Sequence, residues 1–274
     1  MASVERREAF RPLRLVRAAA GETVGRERGE GEFRQLVLRT GAIAKASGSA
    51  YLELGESKVL TTVSGPQQAE GSTFLSHGRL ECTVGFSAFC TTEETPADGF
   101  ALSALLVTAL SPSVRLDQYP KSIICVNVMV LQDAGGILGA AVCCASLALA
   151  HAGIELYGLV ASCSCALGAD ARVLIDPSAT EEREAAGIVS AATMPELSQV
   201  TLCLEEGRVT FDAMSDGLRC VLDGCAQLHE RMKAALIEEP RSSSQLLKRK
   251  RCVSDRASIS DDMDGARKPK PKTT

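Results

Sequence analysis

The sequence predicts an α+β domain in which helices pack on β-sheets. Three observations predict it: four strand-like segments come first, two apolar helical segments alternate with further strands, and a long amphipathic helix ends the pattern. The chain has 274 residues, 45% of them hydrophobic, which suffices for one substantial domain or for two small ones on a shared core. With only seven Phe, three Tyr and no Trp, the predicted core consists of Ala, Val, Leu and Ile.

The strands are predicted from alternation and from branched side chains. Val59, Thr61 and Val63 recur at every second position, which places them on one face of a strand. Residues 122–131 are almost continuously apolar, which predicts a strand buried on both faces. The predicted strands are 36–44, 49–54, 58–64, 80–89, 122–131, 159–166, 172–175, 187–194 and 199–204.

Three helices are predicted among and after these strands. Residues 100–110 have helical composition, and the pair Ser111-Pro112 ends or bends that helix. Residues 136–151 are apolar all round, which predicts a buried helix with Gly153 at its C-terminal cap. Apolar residues recur at steps of three and four over residues 210–237, which is typical of an amphipathic helix.

Composition divides the chain into three parts. Residues 1–32 mix Arg and Glu without periodicity and predict an extended arm, residues 33–237 form the domain, and residues 238–274 predict a disordered tail. The tail carries ten Lys/Arg against six Asp/Glu, which leaves a formal charge of −8 on the rest of the chain. A body that binds nucleic acid by its surface is normally basic.

The tail contains a candidate nuclear-import signal, with a merely solubilising tail as the alternative. The basic residues of this candidate signal are Lys248, Arg249, Lys250 and Arg251.

Composition also disfavours a secreted protein, a membrane protein and a metalloprotein. The N-terminus is charged, and the longest apolar run, residues 140–150, is about half of a membrane span. We therefore expect an intracellular protein without membrane contact. The eleven cysteines form no CxxC pair, and the three histidines show no ligand spacing, so we expect no metal site and no cofactor. The pair Cys163 and Cys165 is interpreted as core.

Three stretches that span most of residues 33–237 resemble the RNase PH family. They are Gly48–Leu60 running into Val63–Pro66, Leu110–Ser122 followed by Val130–Gly136, and Asp176–Pro195. Two further segments, Gly65–Gly71 and Ile154–Tyr157, resemble one kind of RNA exosome ring subunit in particular. The resemblance implies an RNase PH-type domain with a ribosomal-protein-S5-like fold.

In active members, the resemblance implies an anion cradle: two glycines that open a helix, followed by a hydroxyl residue and an arginine that clamp phosphate. Here Gly135 and Gly136 remain, but Ile137, Leu138 and Gly139 follow them. Without a fixed cation the attacking phosphate loses its positioning. The two glycines are therefore interpreted as a tight turn only.

The resemblance also implies two aspartates, six residues apart, that hold a divalent metal. Asp176 matches the first position, and Glu182 falls at the second. Glutamate is an acceptable metal ligand, so a vestigial metal site is one interpretation. The alternative is that residues 181–184 form a solvated helical turn.

RNA contacts inferred from the resemblance are few. Where active relatives have arginines, this chain has Glu93 and Glu94, which would repel phosphate. Arg115 and Lys121 lie within matching motifs and are candidate RNA-binding residues. Alternatively, Arg115 pairs with Asp117, and Lys121 is an exposed strand start.

The resemblance thus implies a non-catalytic structural subunit of an RNA exosome, without a working catalytic site. Its expected partners are other RNase PH-like subunits in a hetero-hexameric ring, S1- and KH-type cap subunits, and single-stranded RNA in the channel. The expected locations are nucleus, nucleolus and cytoplasm. The alternative is an active phosphate-dependent 3′-5′ exoribonuclease with a rearranged site. A free RNA-binding module fits poorly with the body charge of −8.

Overall fold

The computed structural model describes residues 28–68, 77–88, 90, 99–168 and 172–238. Its helices and strands confirm the α+β prediction. The strands are β1 (Leu36–Thr40), β2 (Gly48–Leu54), β3 (Ser57–Gln68), β4 (Arg79–Phe86), β5 (Ser122–Gln132), β6 (Ala161–Leu167), β7 (Val173–Ile175), β8 (Gly187–Met194) and β9 (Gln199–Gly207). The helices are α1 (Gly99–Leu110), α2 (Ile137–His151), α3 (Ala179–Glu184) and α4 (Phe211–Glu238).

Several predictions fall outside the described residues. These are most of the predicted arm, the two glutamates Glu93 and Glu94, and the tail beyond Glu238 with its basic cluster 248–251. The division at residues 33 and 237 stays a prediction. No described helix is both long and apolar enough to cross a bilayer.

The strands form two sheets. The five-stranded sheet has the order β1-β2-β3-β5-β4, antiparallel except for the parallel pair β4 and β5. Because parallel neighbours need a crossover, α1 connects β4 to β5. The four-stranded sheet has the order β7-β6-β8-β9 and is antiparallel throughout.

Helix α2 packs between the two sheets. It contacts β2 and β3 of one sheet and β6 of the other. Two neighbouring thiols show this position: Cys144 donates to the Ala50 carbonyl (3.3 Å), and Cys143 donates to the Ser162 carbonyl (3.4 Å). Twelve of its fifteen residues are buried, which confirms the buried helix predicted from its continuous apolar character.

Helix α4 packs against the four-stranded sheet through its amphipathic face, as its periodicity predicts. The Cys165 thiol of β6 donates to the Gly217 carbonyl, and the Cys225 thiol of α4 donates to the Ala191 carbonyl, both at 3.6 Å. Cys163 and Cys165 are both buried, and burial is the first cause that raises the pKa of each thiol. They behave as small apolar core residues.

The prediction that residues 122–131 are buried on both faces is wrong. Val126 and Val128 of β5 are buried, but Asn127 is exposed and Met129 is 43% exposed. The described helices cover only the face that carries the two valines. A continuous apolar run does not distinguish one buried face from two, and the outer face of β5 carries the apolar Met129 with no cover from the described helices.

Strand β1 is also shorter than predicted. It ends at Thr40 rather than Ala44, because the chain turns at Gly41, whose φ of 74° lies in the left-handed region.

Candidate functional site

The Gly135-Gly136 pair forms the turn between β5 and α2. Both residues have positive φ, 94° and 68°, a conformation that other residues rarely adopt. A Cβ on Gly135 would lie 2.5 Å from the Ala179 nitrogen, and one on Gly136 would lie 2.9 Å from Nη2 of Arg34. The turn therefore requires glycine, and it lies against the segment that follows Asp176.

The N–H groups of this turn bind oxygens of the chain itself. The Gly136 N–H donates to Oε1 of Glu182 at 2.8 Å, and the Gly135 N–H donates to Oδ1 of Asp133 at 3.0 Å. The preceding N–H, that of Ala134, donates to the Ser57 hydroxyl at 3.1 Å. Internal carboxylates thus bind the groups that would otherwise face an external anion.

Asp176 is held by Arg34 through three hydrogen bonds. The backbone N–H and Nε of Arg34 donate to Oδ2 at 2.9 and 3.0 Å, and Nη2 donates to Oδ1 at 2.7 Å. Asp176 is only 2% exposed, and its φ is 50°. Both carboxylate oxygens are therefore bonded to a fixed cation, in the two-point geometry that arginine favours.

Arg34 also ties Asp176 to the glycine turn. Its Nη1 donates to the Ala134 carbonyl at 2.9 Å, and its Nη2 donates to the Gly135 carbonyl at 3.0 Å. The Ser57 hydroxyl donates to the same Gly135 carbonyl at 2.8 Å. The guanidinium of Arg34 thus donates hydrogen bonds to two backbone carbonyls and to the carboxylate of Asp176.

A second arginine lies beside Asp176. Nη2 of Arg28 donates to the Asp176 carbonyl at 3.0 Å and to Oε2 of Glu181 at 3.2 Å. Two residues further on, the Glu30 carbonyl accepts from the Ile175 N–H at 3.0 Å. The last residues of the predicted arm therefore contact β7 and the segment after it.

Glu182 and Glu181 are positioned by α3. Ser178 and Glu181 form a capping box: the Ser178 N–H donates to Oε2 of Glu181 at 2.7 Å, and the Glu181 N–H donates to the Ser178 hydroxyl at 3.4 Å. One turn of helix then directs Glu182 toward Gly136. Burial raises the pKa of Glu182 to about 7. The negative charges of Asp133 and Asp176 also raise this pKa, whereas the Gly136 N–H and Arg34 lower it.

The structure agrees in part with the solvated-turn interpretation of the 181–184 segment, and the vestigial metal site stays a prediction. The segment is helical, as the solvated-turn interpretation predicts, but Glu181 and Glu182 bond inward to Arg28 and Gly136. In the described part of the chain, no three His, Cys, Asp or Glu residues come together as a possible metal site. Asp176 binds Arg34. The two matching carboxylates therefore have structural partners of their own.

The residues after the glycines pack inside the domain. Ile137 is 8% exposed and belongs to the core, and Leu138 packs against it. A Cβ on Gly139 would lie 3.2 Å from the Ser162 carbonyl of β6. The positions that would carry a hydroxyl and an arginine thus hold groups that cannot bind phosphate.

Arg115 lies on a separate surface. Its backbone N–H donates to the Glu155 carbonyl at 3.0 Å, its Nη1 lies 3.5 Å from Oε2 of Glu155, and its guanidinium lies 5.6 Å from the Tyr157 ring centre. The alternative that Arg115 pairs with Asp117 is wrong, because Arg115 pairs with Glu155 and Asp117 pairs with His77 at 2.8 Å. Tyr157 is 51% exposed, so this surface offers a half-open aromatic ring beside a cation.

Lys121 lies six residues beyond Arg115 on the same loop, directly before β5. It is exposed and has a φ of 57°. This position agrees with the alternative that Lys121 is an exposed residue at the start of a strand. Its role in RNA binding stays a prediction.

Sequence reasoning missed the residue at the centre of the site. Arg34 lies just before β1 in no recognised motif, and its partner Asp176 is 142 residues away. The one available signal is a lone arginine between Phe33 and Gln35 just before a strand, which is too common to be specific.

The sequence is similar to those of known proteins over most of its length. Residues 32–155 match the family model described as the 3′ exoribonuclease family, domain 1. The human exosome complex component MTR3 is 35% identical over 255 residues, which cover 85% of this chain and 93% of the human protein. The exosome complex component Rrp41 of the archaeon Cenarchaeum symbiosum is 34% identical over 211 residues, covering 75% and 86%.

Solved structures agree on the fold. Rice Rrp46 superposes with a TM-score of 0.71 at 19% identity and covers 77% of this chain and 99% of its own. A chain of the Archaeoglobus fulgidus exosome superposes with a TM-score of 0.65 at 20% identity, covering 74% and 90%. With this two-sheet fold, a glycine turn beside two carboxylate positions, and relatives that match most of its length, the chain belongs to the RNase PH family.

Proposed function

We propose that this chain is a non-catalytic ring subunit of an RNA exosome, supporting 3′-to-5′ RNA processing and degradation by other subunits. Its partners are other RNase PH-like subunits in a hetero-hexameric ring, S1- and KH-type cap subunits, and single-stranded RNA in the channel. The relatives support this assignment, since two of them are named exosome complex components.

One observation carries the non-catalytic part of the proposal. The Gly136 N–H, which would face phosphate, donates to Glu182 at 2.8 Å. Both oxygens of Asp176, which would face a metal, accept from Arg34. Phosphorolysis needs a positioned phosphate and a bound cation. Here Glu182 binds the N–H that would bind phosphate, and Arg34 binds the carboxylate that would bind the metal ion.

The RNA part of the proposal rests on the Arg115 surface. A guanidinium beside a half-exposed tyrosine ring can contact a phosphate and an adjacent base. Glu155 already neutralises part of the charge of Arg115, so a weak contact along a channel wall fits better than tight independent binding. A body charge of −8 supports the same choice.

An assay of phosphorolysis tests the proposal. The purified chain is incubated with RNA that has a free 3′ hydroxyl, inorganic phosphate and Mg²⁺, and released nucleoside diphosphates are quantified. We expect none above the background of a preparation without the chain. The active-enzyme alternative requires diphosphate release that depends on phosphate and is abolished by Asp176→Asn.

A further inference from the structure

Strand β9 forms an open edge of the four-stranded sheet. It pairs with β8 on one side, and no other strand of the described chain pairs with its second side. Its nine residues extend over about 30 Å. Roughly half of the backbone N–H and C=O groups of such a strand point outward, which makes an open edge a template for a further strand.

The other described edges are shorter, covered or charged. Strand β7 has three residues, and its Ile175 N–H donates to the Glu30 carbonyl. Strand β4 carries the exposed ion pair of Arg79 and Glu81 at 3.2 Å. Strand β1 has five residues and exposes Arg39. Charges and short length protect edges from pairing, and these three edges show such protection.

Strand β9 lacks protection by charge over its first part, and helix α1 contacts the strand. Residues 199–204 carry no charge, Val200 is 53% exposed, and Cys203 is an exposed free thiol. Leu197, just before the strand, is 44% exposed. The end of the strand differs, because Glu205 and Glu206 give it two negative charges. A strand that pairs along this edge therefore needs an apolar part and, opposite the glutamates, basic residues.

We propose that β9 is the strand to which a neighbouring ring subunit adds one of its own strands, with Lys or Arg side chains opposite Glu205 and Glu206. This inference rests on the proposed function, since the occupant is a ring neighbour. Main-chain hydrogen bonds along β9 supply the pairing, and the two glutamates select the register and the partner.

Cys203 provides a natural probe of this contact. The free full-length chain and the purified assembled ring are treated with a maleimide, and labelling of each cysteine is followed by mass spectrometry. We expect Cys203 to react at least about tenfold more slowly in the ring than in the free chain. The buried thiols Cys143 and Cys225 report any unfolding and should stay unlabelled in both samples.

Variants test the same contact by competition. Val200→Lys or the pair Glu205→Lys with Glu206→Lys, co-expressed with tagged wild type, should enter the ring at least about tenfold less often. Thr83→Lys on the exposed edge β4 is the matched control and should enter as wild type does. The proposal is overturned if Cys203 reacts equally in both states, if the β9 variants enter normally, or if Thr83→Lys is excluded as strongly.

The two levels of the proposal fail differently. If wild-type chain is found in no ring of RNase PH-like subunits, the proposed function itself is wrong. If the ring contains the chain but leaves Cys203 reactive, only the assignment of β9 is wrong.

Discussion

Arg34 connects parts of the chain that are far apart in sequence. Its guanidinium binds the Asp176 carboxylate together with the Ala134 and Gly135 carbonyls. Its side chain is 10% exposed, and that of Asp176 is 3% exposed. A buried pair of this kind contributes little net stability while intact, but removing one partner leaves the other charge buried and uncompensated.

We therefore expect Arg34→Met to lower the free energy of unfolding by about 3–5 kcal/mol. Urea unfolding at low protein concentration, followed by circular dichroism, measures the change. Arg219→Met is the matched control, because Arg219 lies on α4 with a side chain that is 78% exposed, and it should change stability little. A loss no larger than that of the control would show that the Arg34–Asp176 contact is not formed.

Glu182 predicts an unusual pH dependence. Burial raises its pKa to about 7, so the folded protein binds this proton more tightly than the unfolded chain. The resulting stabilisation is complete below the ordinary carboxyl pKa of 4.5 and is lost as the pH rises through 7. The wild-type protein should therefore lose up to about 3 kcal/mol relative to a variant without this carboxyl across that range.

Glu182→Gln removes the titration and keeps an oxygen that can accept from the Gly136 N–H. Urea unfolding of both proteins at about pH 5 and about pH 8 gives the difference in unfolding free energy. This difference should shift in favour of the variant at the higher pH. A difference that is independent of pH, or that shifts the other way, contradicts the buried position of Glu182.

The site could be predicted from sequence only where its residues are neighbours in the chain. The Gly135-Gly136 pair and the apolar residues at 137 and 138 are neighbours in the chain, so the sequence shows them directly. The hydrogen bond from Gly136 to Glu182 spans 46 residues, and Arg34 reaches 142 residues to Asp176. No periodicity or motif in the sequence predicts these two contacts, because the packing of two sheets brings the residues together.

At the scale of elements, the close contact between β2 and α2 depends on small residues. A Cβ on Gly48, the first residue of β2, would lie 2.4 Å from the Ala148 carbonyl and 2.5 Å from the Cβ of Ala152. The contacted atoms are mostly backbone or short side chains and cannot rotate away. The end of α2 can therefore approach the sheet this closely only because position 48 has no side chain.

Gly48→Ala should accordingly destabilise the protein by at least about 1–3 kcal/mol, the range for an added methyl group in a packed interior. Gly31→Ala is the matched control, because a Cβ there meets nothing within 4 Å. Thermal unfolding of the two variants beside the wild type measures the difference. If both variants melt at the same temperature as the wild type, β2 and α2 are further apart than described.

The elements themselves were predictable because each leaves a local pattern. Alternation placed Val59 and Val63 on the buried face of β3, and steps of three and four identified α4. The open face of β5 was not predictable, since whether a helix covers Met129 depends on the position of distant elements. Sequence patterns show which side chains are apolar, whereas tertiary packing decides which of them are covered.

At the scale of the whole molecule, helix α4 is the last element of the described chain. Val221, Leu228 and Met232 of this helix are buried against the domain. The sequence beyond it is rich in Ser, Lys, Arg and Pro and has few residues that a core would use. We propose that this tail serves localisation, to nucleus and nucleolus as well as cytoplasm, rather than assembly.

Removal of residues 238–274 should therefore leave entry into the ring unchanged and reduce nuclear accumulation. Co-purification of the truncated chain with ring subunits tests the first outcome, and imaging of a fluorescent fusion tests the second. Substitution of Lys248–Arg251 by Ala in the full chain is the matched variant and should reproduce the loss of nuclear signal. Failure of the truncated chain to join the ring would show that the tail contributes to the fold, whereas unchanged nuclear levels would remove only the import claim.

Because the N–H groups of the glycine turn bind Glu182 and Asp133, one substitution would not open the turn to phosphate. Replacing Leu138 by arginine would add one cation. The Gly136 N–H would still donate to Glu182, and Arg34 would still bind Asp176. Several substitutions would have to occur together, and those that remove Arg34 or Glu182 would first alter contacts that order the turn. The contacts that occupy the turn are thus the same contacts that hold it in shape.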